Sequence, residues 1–186
     1  MAVSERTNGG HAVRLTRRPL RRFQLFVMAC VALVAILMLA VPAAAGSARF
    51  VWNVTASAPA GLYRITHEPW FSGDRVAVLP GEALGADLER RGVLSKGKLL
   101  IKRVAAVTGD RVCRHEAIVS INDEIAAKVR VVDSHGMPLP SWQGCVTLDD
   151  RQVFLLGDTP GSYDGRYFGV TRTRDIVGRA DLMFGF

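Results

Sequence analysis

The amino-acid sequence predicts a mainly β domain that follows a single membrane-spanning helix. An uncharged apolar run near the N-terminus predicts the helix. A series of short segments rich in Val, Ile and Leu, bounded by turn-forming residues, predicts the β domain. The chain therefore divides into a basic tail at 1–22, an apolar segment at 23–45 and one folded domain at 46–186.

The basic tail accounts for most of the net charge. The whole chain carries +7, and residues 1–22 contribute +5 through six arginines and one glutamate. Residues 23–45 carry no charge, which leaves only +2 for residues 46–186. A charge this small excludes a general nucleic-acid-binding surface on the folded domain.

The apolar segment also predicts the location of the domain. A helix over 23–45 would extend ~35 Å, enough to cross a bilayer. Because the arginines lie just before it, we expect a single-pass membrane protein with a cytoplasmic N-terminus and an exported domain that meets membrane lipid. The alternative is a signal peptide cleaved after Ala43–Ala45, which leaves the exported domain free of the membrane.

Strand composition recurs along the folded domain, and Asn122-Asp123 marks a turn between two of the segments. A short helix is predicted over 82–91, which begins with acidic residues, ends with arginines and is followed by Gly92. The predicted strands are 75–79, 99–107, 117–121, 128–132, 153–156 and 176–184.

The positions of the cysteines are consistent with an exported domain. Cys30 lies in the apolar segment, so Cys113 and Cys145 are the exported pair and are expected to form a disulfide bond. A metal site formed by Cys113, His115, His135 and Cys145 is the alternative. It lacks the short ligand spacings that are typical of zinc sites.

Three further segments carry polar residues that strand packing does not explain. The first, 53–65, is a proline-containing stretch that we expect to be a loop or an edge strand, unless it is only a linker. It begins with the sequon Asn53-Val54-Thr55, which is common by chance. In the second, 98–110, Lys102 lies in an apolar strand. If it faces the core, its pKa should fall into the range of a general base, but strand alternation could equally turn it to solvent.

The third segment, 153–169, runs from an apolar strand into a polar loop. Ser162, Asp164 and Arg166 are separated by single residues, so an extended course would place all three on one side. The alternative is ordinary turn chemistry with a surface ion pair between Asp164 and Arg166.

The three segments together resemble the signal peptidase family that uses a Ser/Lys dyad, and most closely its TraF-type branch of conjugative transfer systems. The resemblance spans nearly the whole chain. Its motifs are S-A-P-A-G-L-Y from Ser57, I-K-R-V around Lys102, and G-D-T-P-G-S-Y-D-G-R-Y-F-G from Gly157. Ala58 stands where general signal peptidases usually have methionine, which suits the TraF-type branch better than the general enzyme.

The resemblance implies a role for each residue. Ser57 would be the nucleophile, Lys102 the general base, and Ser162 the hydroxyl that orients the lysine amine. Asp164 would support the site, paired with Arg166. The oxyanion hole would use the Ser57 backbone N–H and the side chain of Thr55.

The expected function is therefore that of a serine endopeptidase, with no cofactor or metal, that processes an exported pilin precursor or another preprotein for a conjugative transfer apparatus. The family leaves open whether water or the amino terminus of the pilin accepts the acyl group, the latter giving a cyclic subunit. Alternatives are a general type I signal peptidase, a non-enzymatic component of a secretion or pilus assembly, and a Ser-His-Asp hydrolase using His67, His115 or His135.

Overall fold

The computed structural model describes residues 18–44, 49–95 and 97–186. The chain separates into two units, Met1–Gly46 and Ser47–Phe186. In the first unit, helix α1 spans Arg18–Ala44, whereas residues 1–17 of the predicted basic tail lie outside the described residues. Within the part of the chain that the structure describes, no helix has both the length and the apolar character needed to cross a membrane. The membrane-spanning helix stays a prediction.

The second unit is built mainly from strands. Over residues 49–95 and 97–186 the chain forms two α-helices and eleven strands. The helices are α2, Glu82–Arg90, and α3, Gly165–Phe168. The strands are β1 Arg49–Asn53, β2 Gly61–Thr66, β3 Arg75–Val78, β4 Leu100–Ala106, β5 Arg111–His115, β6 Ile118–Ile121, β7 Glu124–Lys128, β8 Gly144–Thr147, β9 Gln152–Leu156, β10 Thr171–Arg172 and β11 Ile176–Gly185.

The strands form two antiparallel sheets. The larger sheet has the order β1-β2-β11-β3-β4-β9-β10, which places β4 between β3 and β9. The smaller sheet has the order β7-β6-β5-β8. One hydrophobic cluster contains residues of both sheets, among them Ala106 and Phe154 of the larger and Val112 and Val119 of the smaller. This shared cluster packs the smaller sheet against the β4–β9 region of the larger one.

The mainly β prediction is confirmed, and most predicted elements form within a residue or two of their expected bounds. They are the helix α2 and the strands β3, β4, β6, β9 and β11. The turn at Asn122-Asp123 is also confirmed, since both residues adopt positive φ, 51° and 70°. Two consecutive residues with positive φ are typical of the tight turn of a β-hairpin.

The strand predicted at 128–132 is wrong. The turn sets Glu124 opposite Ile121, so the third strand of this sheet is β7, which ends at Lys128. Beyond it, Val131 is 81% exposed, and Val132 makes only an isolated bridge to Pro138. The valines gave this segment strand composition, but the register of the hairpin decided which residues pair.

Segment 53–65 is partly as expected. Residues 54–60 form a loop, but Gly61 begins β2, which lies between β1 and β11 and is not an edge strand. Strands β1, β5, β8 and β10 were not predicted. Three of them contain arginine and two are four residues or shorter, so composition alone does not distinguish them from loops.

Candidate active site

Lys102 lies in the middle of β4, and its side chain points into the core. Its neighbour across the sheet is Val76 of β3, and the residue is only 2% exposed. Burial lowers the pKa of Lys102 to about 8, although the nearby Asp164 carboxylate raises it. Arg103, the next residue, points to the other face, with Nε 3.7 Å from Asp158 Oδ1. The solvent-facing alternative for Lys102 is therefore wrong.

A single hydroxyl holds the buried amine. Lys102 Nζ donates a hydrogen bond of 2.9 Å to Ser162 Oγ, and Ser162 is itself buried. The loop can approach this closely because residue 157 is glycine. A Cβ at Gly157 would lie 1.8 Å from Ser162 Oγ, so no other residue fits without displacing that hydroxyl.

Asp164 and Arg166 form a buried ion pair beside this amine. Arg166 Nη2 lies 2.7 Å from Asp164 Oδ2, and the two side chains are 4% and 0% exposed respectively. The same carboxylate caps α3 by accepting from the Arg166 backbone N–H, and it accepts a bond of 2.6 Å from the Gly157 N–H. The surface-pair alternative is thus wrong for this pair.

Segment 162–166 does not take the extended course that would place all three polar side chains on one side. The chain turns at Asp164 and enters α3 at Gly165, so the helix cap, and not strand alternation, brings Asp164 and Arg166 together. From this position the Arg166 guanidinium also donates to the carbonyls of Gly157, Thr159 and Pro160. It thereby fixes the whole loop that carries Ser162.

Ser57 lies in the loop between β1 and β2, which contacts the loop that follows β9. Its carbonyl accepts a bond of 2.9 Å from the Asp158 N–H, the residue directly after Gly157. Ser57 Oγ lies 3.0 Å from Thr55 Oγ1. Thr55 Oγ1 also lies 2.8 Å from Asn53 Oδ1 and donates to it, which leaves the Ser57 hydroxyl as the donor to Thr55.

This geometry bears on the predicted oxyanion hole. Among the described residues, no acceptor lies within hydrogen-bond reach of the Ser57 backbone N–H, so this donor can serve a substrate. The Thr55 hydroxyl proton is already used by Asn53, so Thr55 would have to rotate to reach an oxyanion. The oxyanion-hole role of both residues stays a prediction.

Ser57 and Lys102 line the same cavity, which has a volume of about 920 Å³. The described residues include no hydrogen bond between Ser57 Oγ and Lys102 Nζ, because Ser57 is directed to Thr55 and Lys102 to Ser162. A rotation about the Cα–Cβ bond of Ser57 is the simplest change that breaks its contact with Thr55 and re-aims the hydroxyl. The roles of Ser57 and Lys102 as a dyad stay a prediction.

Asn53 was not predicted as a site residue, and it organises the Ser57 loop. Its amide nitrogen lies 3.0–3.1 Å from the carbonyls of Thr55, Ala58 and Pro59, and its Oδ1 accepts from both Thr55 donors. The residue is 7% exposed. The sequon that begins at Asn53 is therefore part of a folded loop. The available signal was an Asn directly before an irregular stretch, where its amide can bond local backbone groups.

Asp158 was also not predicted. Besides binding the Ser57 carbonyl through its N–H, its carboxylate accepts a bond of 2.6 Å from Arg75 Nη2 of β3. These contacts join the Ser57 loop to β3 and to the loop after β9. The signal was present as Gly157-Asp158 directly after an apolar strand.

The predicted disulfide bond forms and joins Cys113 of β5 to Cys145 of β8. His115 lies beside them, with Nε2 3.8 Å from Cys145 Sγ, but His135 is outside this cluster. Because the two sulfurs are bonded to each other, they do not offer the thiolates of the proposed metal site. None of His67, His115 and His135 lines the cavity of Ser57, which argues against a Ser-His-Asp site.

Comparison with known proteins gives the family. The protein family described as "Signal peptidase, peptidase S26" matches this chain over residues 21–185. The chain belongs to this signal peptidase family. This chain is similar to a probable conjugal transfer protein TraF of Sinorhizobium fredii. The two are 34% identical over 157 residues, which cover 74% of this chain and 81% of the relative. A conjugal transfer protein TraF of Agrobacterium fabrum is 35% identical over 144 residues, covering 72% and 81%.

A conjugal transfer protein TraF of Agrobacterium tumefaciens is 32% identical to this chain over 168 residues, which cover 82% of this chain and 92% of the relative. Among solved structures, the crystal structure of a signal peptidase I from Enterococcus faecalis matches 61% of this chain and 98% of that chain. The TM-score is 0.37 and the sequence identity 18%. Family membership makes this chain a peptidase.

Proposed function

We propose that this peptidase is a serine endopeptidase with a Ser57/Lys102 dyad, and that it processes an exported pilin precursor for conjugative transfer. The observation that carries the dyad is Lys102, a buried amine with a pKa of about 8 in the cavity that Ser57 also lines. The family description supports peptide-bond cleavage, and the names of the TraF relatives support the conjugative substrate.

The proposed chemistry requires the Ser57 hydroxyl to rotate away from Thr55 and toward the amine of Lys102. Neutral Lys102 takes the proton of Ser57 Oγ, which attacks the scissile carbonyl carbon, and the Ser57 N–H stabilises the resulting oxyanion. Protonated Lys102 then gives its proton to the departing amine, leaving an acyl ester on Ser57. A water, or the amino terminus of the pilin, attacks the ester carbon while Lys102 accepts a proton from it. The bond between the acyl carbon and Ser57 Oγ then breaks, and Lys102 returns the proton to Ser57 Oγ, which releases the product and restores the neutral amine. Ser162 orients the amine throughout.

The test is cleavage of a purified conjugative pilin precursor by the full chain in detergent micelles. Ser57→Ala and Lys102→Met are each expected to reduce cleavage by a factor of about 10³ or more. Ser141→Ala and Lys128→Met, two exposed positions outside the cavity, serve as matched controls and should cleave normally. Normal processing by either dyad variant would overturn the proposed mechanism.

The mass of the product distinguishes the two acceptors. Hydrolysis gives a linear pilin, whereas capture by the amino terminus gives a cyclic product that is one water lighter. A general signal peptidase is the second candidate, since the matching family description covers such enzymes. Complementation of a strain depleted of its general signal peptidase would favour it. Failure to complement, with pilin cleavage intact, would support the dedicated role.

The proposed site of action is the periplasmic face of the bacterial inner membrane. The six arginines of residues 1–22 and the uncharged segment 23–45 support this topology, with the segment acting as an anchor or a cleaved signal peptide. Protease added to spheroplasts should degrade the peptidase domain if it is exported and should spare it if the domain is cytoplasmic.

The non-enzymatic alternative is disfavoured. It required Lys102 on an exposed face far from Ser57, whereas Lys102 is buried and shares a cavity with Ser57.

A further inference from the structure

The smaller sheet contacts the active-site region through α3. Two of its side chains donate to successive carbonyl groups in the first turn of this helix. Arg114 Nη1 of β5 lies 2.7 Å from the carbonyl oxygen of Arg166, and Trp142 Nε1, just before β8, lies 3.0 Å from that of Gly165. Arg166 is the residue whose side chain fixes Asp164 and the Ser162 loop.

Arg114 is an unusual residue for such a position. It is 5% exposed, and among the described residues it makes no ion pair with a carboxylate. Its other hydrogen bond is a long one, 3.3 Å, to the carbonyl of Glu116. A buried cation without an acid is costly, and a methionine would fill a similar volume without that cost. Its main polar contact is therefore the one that holds α3.

The remaining contacts of α3 leave little freedom on its other side. A Cβ at Gly165 would lie 2.7 Å from the Leu155 carbonyl oxygen and 2.8 Å from the Phe154 ring, so the helix lies directly on β9. Trp142 also packs edge-on against Phe154, at 6.1 Å between ring centroids. The helix is thus held between β9 and the two donors of the smaller sheet.

The disulfide lies next to both donors. Cys113 directly precedes Arg114, and Cys145 is three residues after Trp142. In the register of β5 and β8, Cys113 faces Cys145 and Arg114 faces Gly144. The covalent bond therefore fixes the spacing between β5, which carries Arg114, and β8, which begins two residues after Trp142.

We propose that Arg114 and Trp142 are positioning residues of the active site, which act through α3 to hold Asp164, Arg166 and Ser162 around the amine of Lys102. Neither residue lines the cavity of Ser57 and Lys102, so neither contacts substrate there. This inference rests on the proposed role of Lys102. It predicts that weakening either donor loosens the packing over the amine without altering substrate binding.

Burial and three charged groups act on the pKa of Lys102. Burial lowers this pKa most, Asp158 and Asp164 raise it, and Arg166 also lowers it. Asp164 and Arg166 are paired, so moving them together changes their opposing influences in parallel. Greater access of water to the amine then decides the outcome, and the pKa of Lys102 should rise.

The chain has only four lysines, Lys96, Lys98, Lys102 and Lys128, so selective labelling can report on the amine directly. The experiment is an NMR titration of the full chain labelled with ¹³C at lysine Cε. The Lys102 resonance is assigned by its loss in Lys102→Met. In the unsubstituted protein one resonance should titrate near pH 8; if none does, the proposed base role of Lys102 fails before Arg114 is tested.

Given that resonance, Arg114→Met and Trp142→Phe should each raise the pKa of Lys102 by about 0.5 or more, which lowers its neutral fraction at pH 7 about threefold. Trp142→Phe keeps an aromatic ring and removes the N–H donor together with part of the indole, so the proposal stays testable if Arg114→Met does not fold. Arg114→Lys keeps a hydrogen-bond donor at this position, so its Lys102 pKa should lie between that of Arg114→Met and that of the unsubstituted protein.

Arg111→Met is the matched control, because Arg111 is an exposed arginine of the same strand with no contact to α3. Its Lys102 titration should be unchanged. In pilin cleavage, Arg114→Met should lower kcat by about 10-fold with KM unchanged. A folded Arg114→Met and a folded Trp142→Phe that both titrate like the unsubstituted protein would overturn the proposal.

Discussion

The two halves of the cavity hold their polar side chains in different ways. On the base side, Lys102, Ser162, Asp164 and Arg166 are all buried, and each is bonded to another member of the group or to backbone. On the nucleophile side, Thr55 is exposed and Ser57 only half-buried, and the loop is bonded from beneath by the buried side chain of Asn53.

The difference follows from what each half must do. A lysine becomes a base near neutral pH only when it is withdrawn from water, and every polar group buried with it then needs a partner. The nucleophile must instead meet a substrate, so its hydroxyl has to face the cavity and keep a rotation available. Substitutions on the base side should therefore have large electrostatic effects, and those on the nucleophile side smaller, local ones.

The largest effect is expected for Asp164→Asn. It leaves the buried Arg166 guanidinium without its carboxylate, so the free energy of unfolding should fall by about 3–5 kcal/mol. Urea denaturation measures the loss. Asp181→Asn is the control, because Asp181 pairs with Arg179 where both side chains are about 30% exposed, and it should cost about 1 kcal/mol or less. Equal losses of unfolding free energy in the two variants would show that burial of the Asp164–Arg166 pair does not make its disruption more costly.

The next effect is a gain in stability. Below pH 8, Lys102 is protonated in both folded and unfolded chains, so its full burial cost is present at pH 7. Lys102→Met should therefore raise the free energy of unfolding at pH 7 by about 2–3 kcal/mol. Denaturation of both proteins in urea at matched pH measures the difference.

The gain should depend on pH in one direction. Between the folded pKa of about 8 and the ordinary value of 10.5, the unfolded chain binds the Lys102 proton more tightly. The stability of the unsubstituted protein then rises with pH, and the advantage of Lys102→Met shrinks. Lys128→Met, at an exposed lysine, should show no such trend. A constant advantage from pH 7 to 10.5 would mean that the pKa of Lys102 is not lowered.

The smallest effect is expected for Asn53→Ala. It removes the amide that donates to the carbonyls of Thr55 and Ala58, while the Pro59 carbonyl keeps its bond from Tyr63 OH. The expected cost is about 1–2 kcal/mol in unfolding free energy, and cleavage should fall because Ser57 is held less firmly. The Lys102 titration should stay unchanged, because Asn53 has no contact on the base side. Val54→Ala, at an exposed side chain of the same loop, should change stability by about 0.5 kcal/mol or less. An altered Lys102 pKa in Asn53→Ala would show that the two halves are coupled.

Much of the fold could be predicted because local composition agrees with the final structure. Strands β4, β9 and β11 are apolar enough to be recognised, and the Asn122-Asp123 turn is a local signal. The error at 128–132 came from register, which depends on the hairpin as a whole. Strands such as β5, with two arginines, become strands only because the neighbouring strands pair with them.

The candidate site was predictable only in part. Each of Ser57, Lys102, Ser162, Asp164 and Arg166 was named from motifs, and the structure brings all five to one region. Asn53, Asp158, Arg114 and Trp142 were not named, since their contribution is a hydrogen bond to backbone that is distant in sequence or held in an irregular loop. Such bonds leave no periodic pattern in the sequence.

The sequence by itself determined the charge distribution, the mainly β composition, the pair of cysteines that bond, and the residue types needed for serine chemistry. These properties are local or additive along the chain. Only the tertiary structure decided that Lys102 faces inward, that Asp164 reaches Arg166 through a helix cap, and that the smaller sheet holds α3. The first and third depend on groups that lie far apart in the chain and meet only in the folded domain, whereas Asp164 and Arg166 are two residues apart and meet because the chain turns into α3. Packing of the folded domain excludes water from the amine.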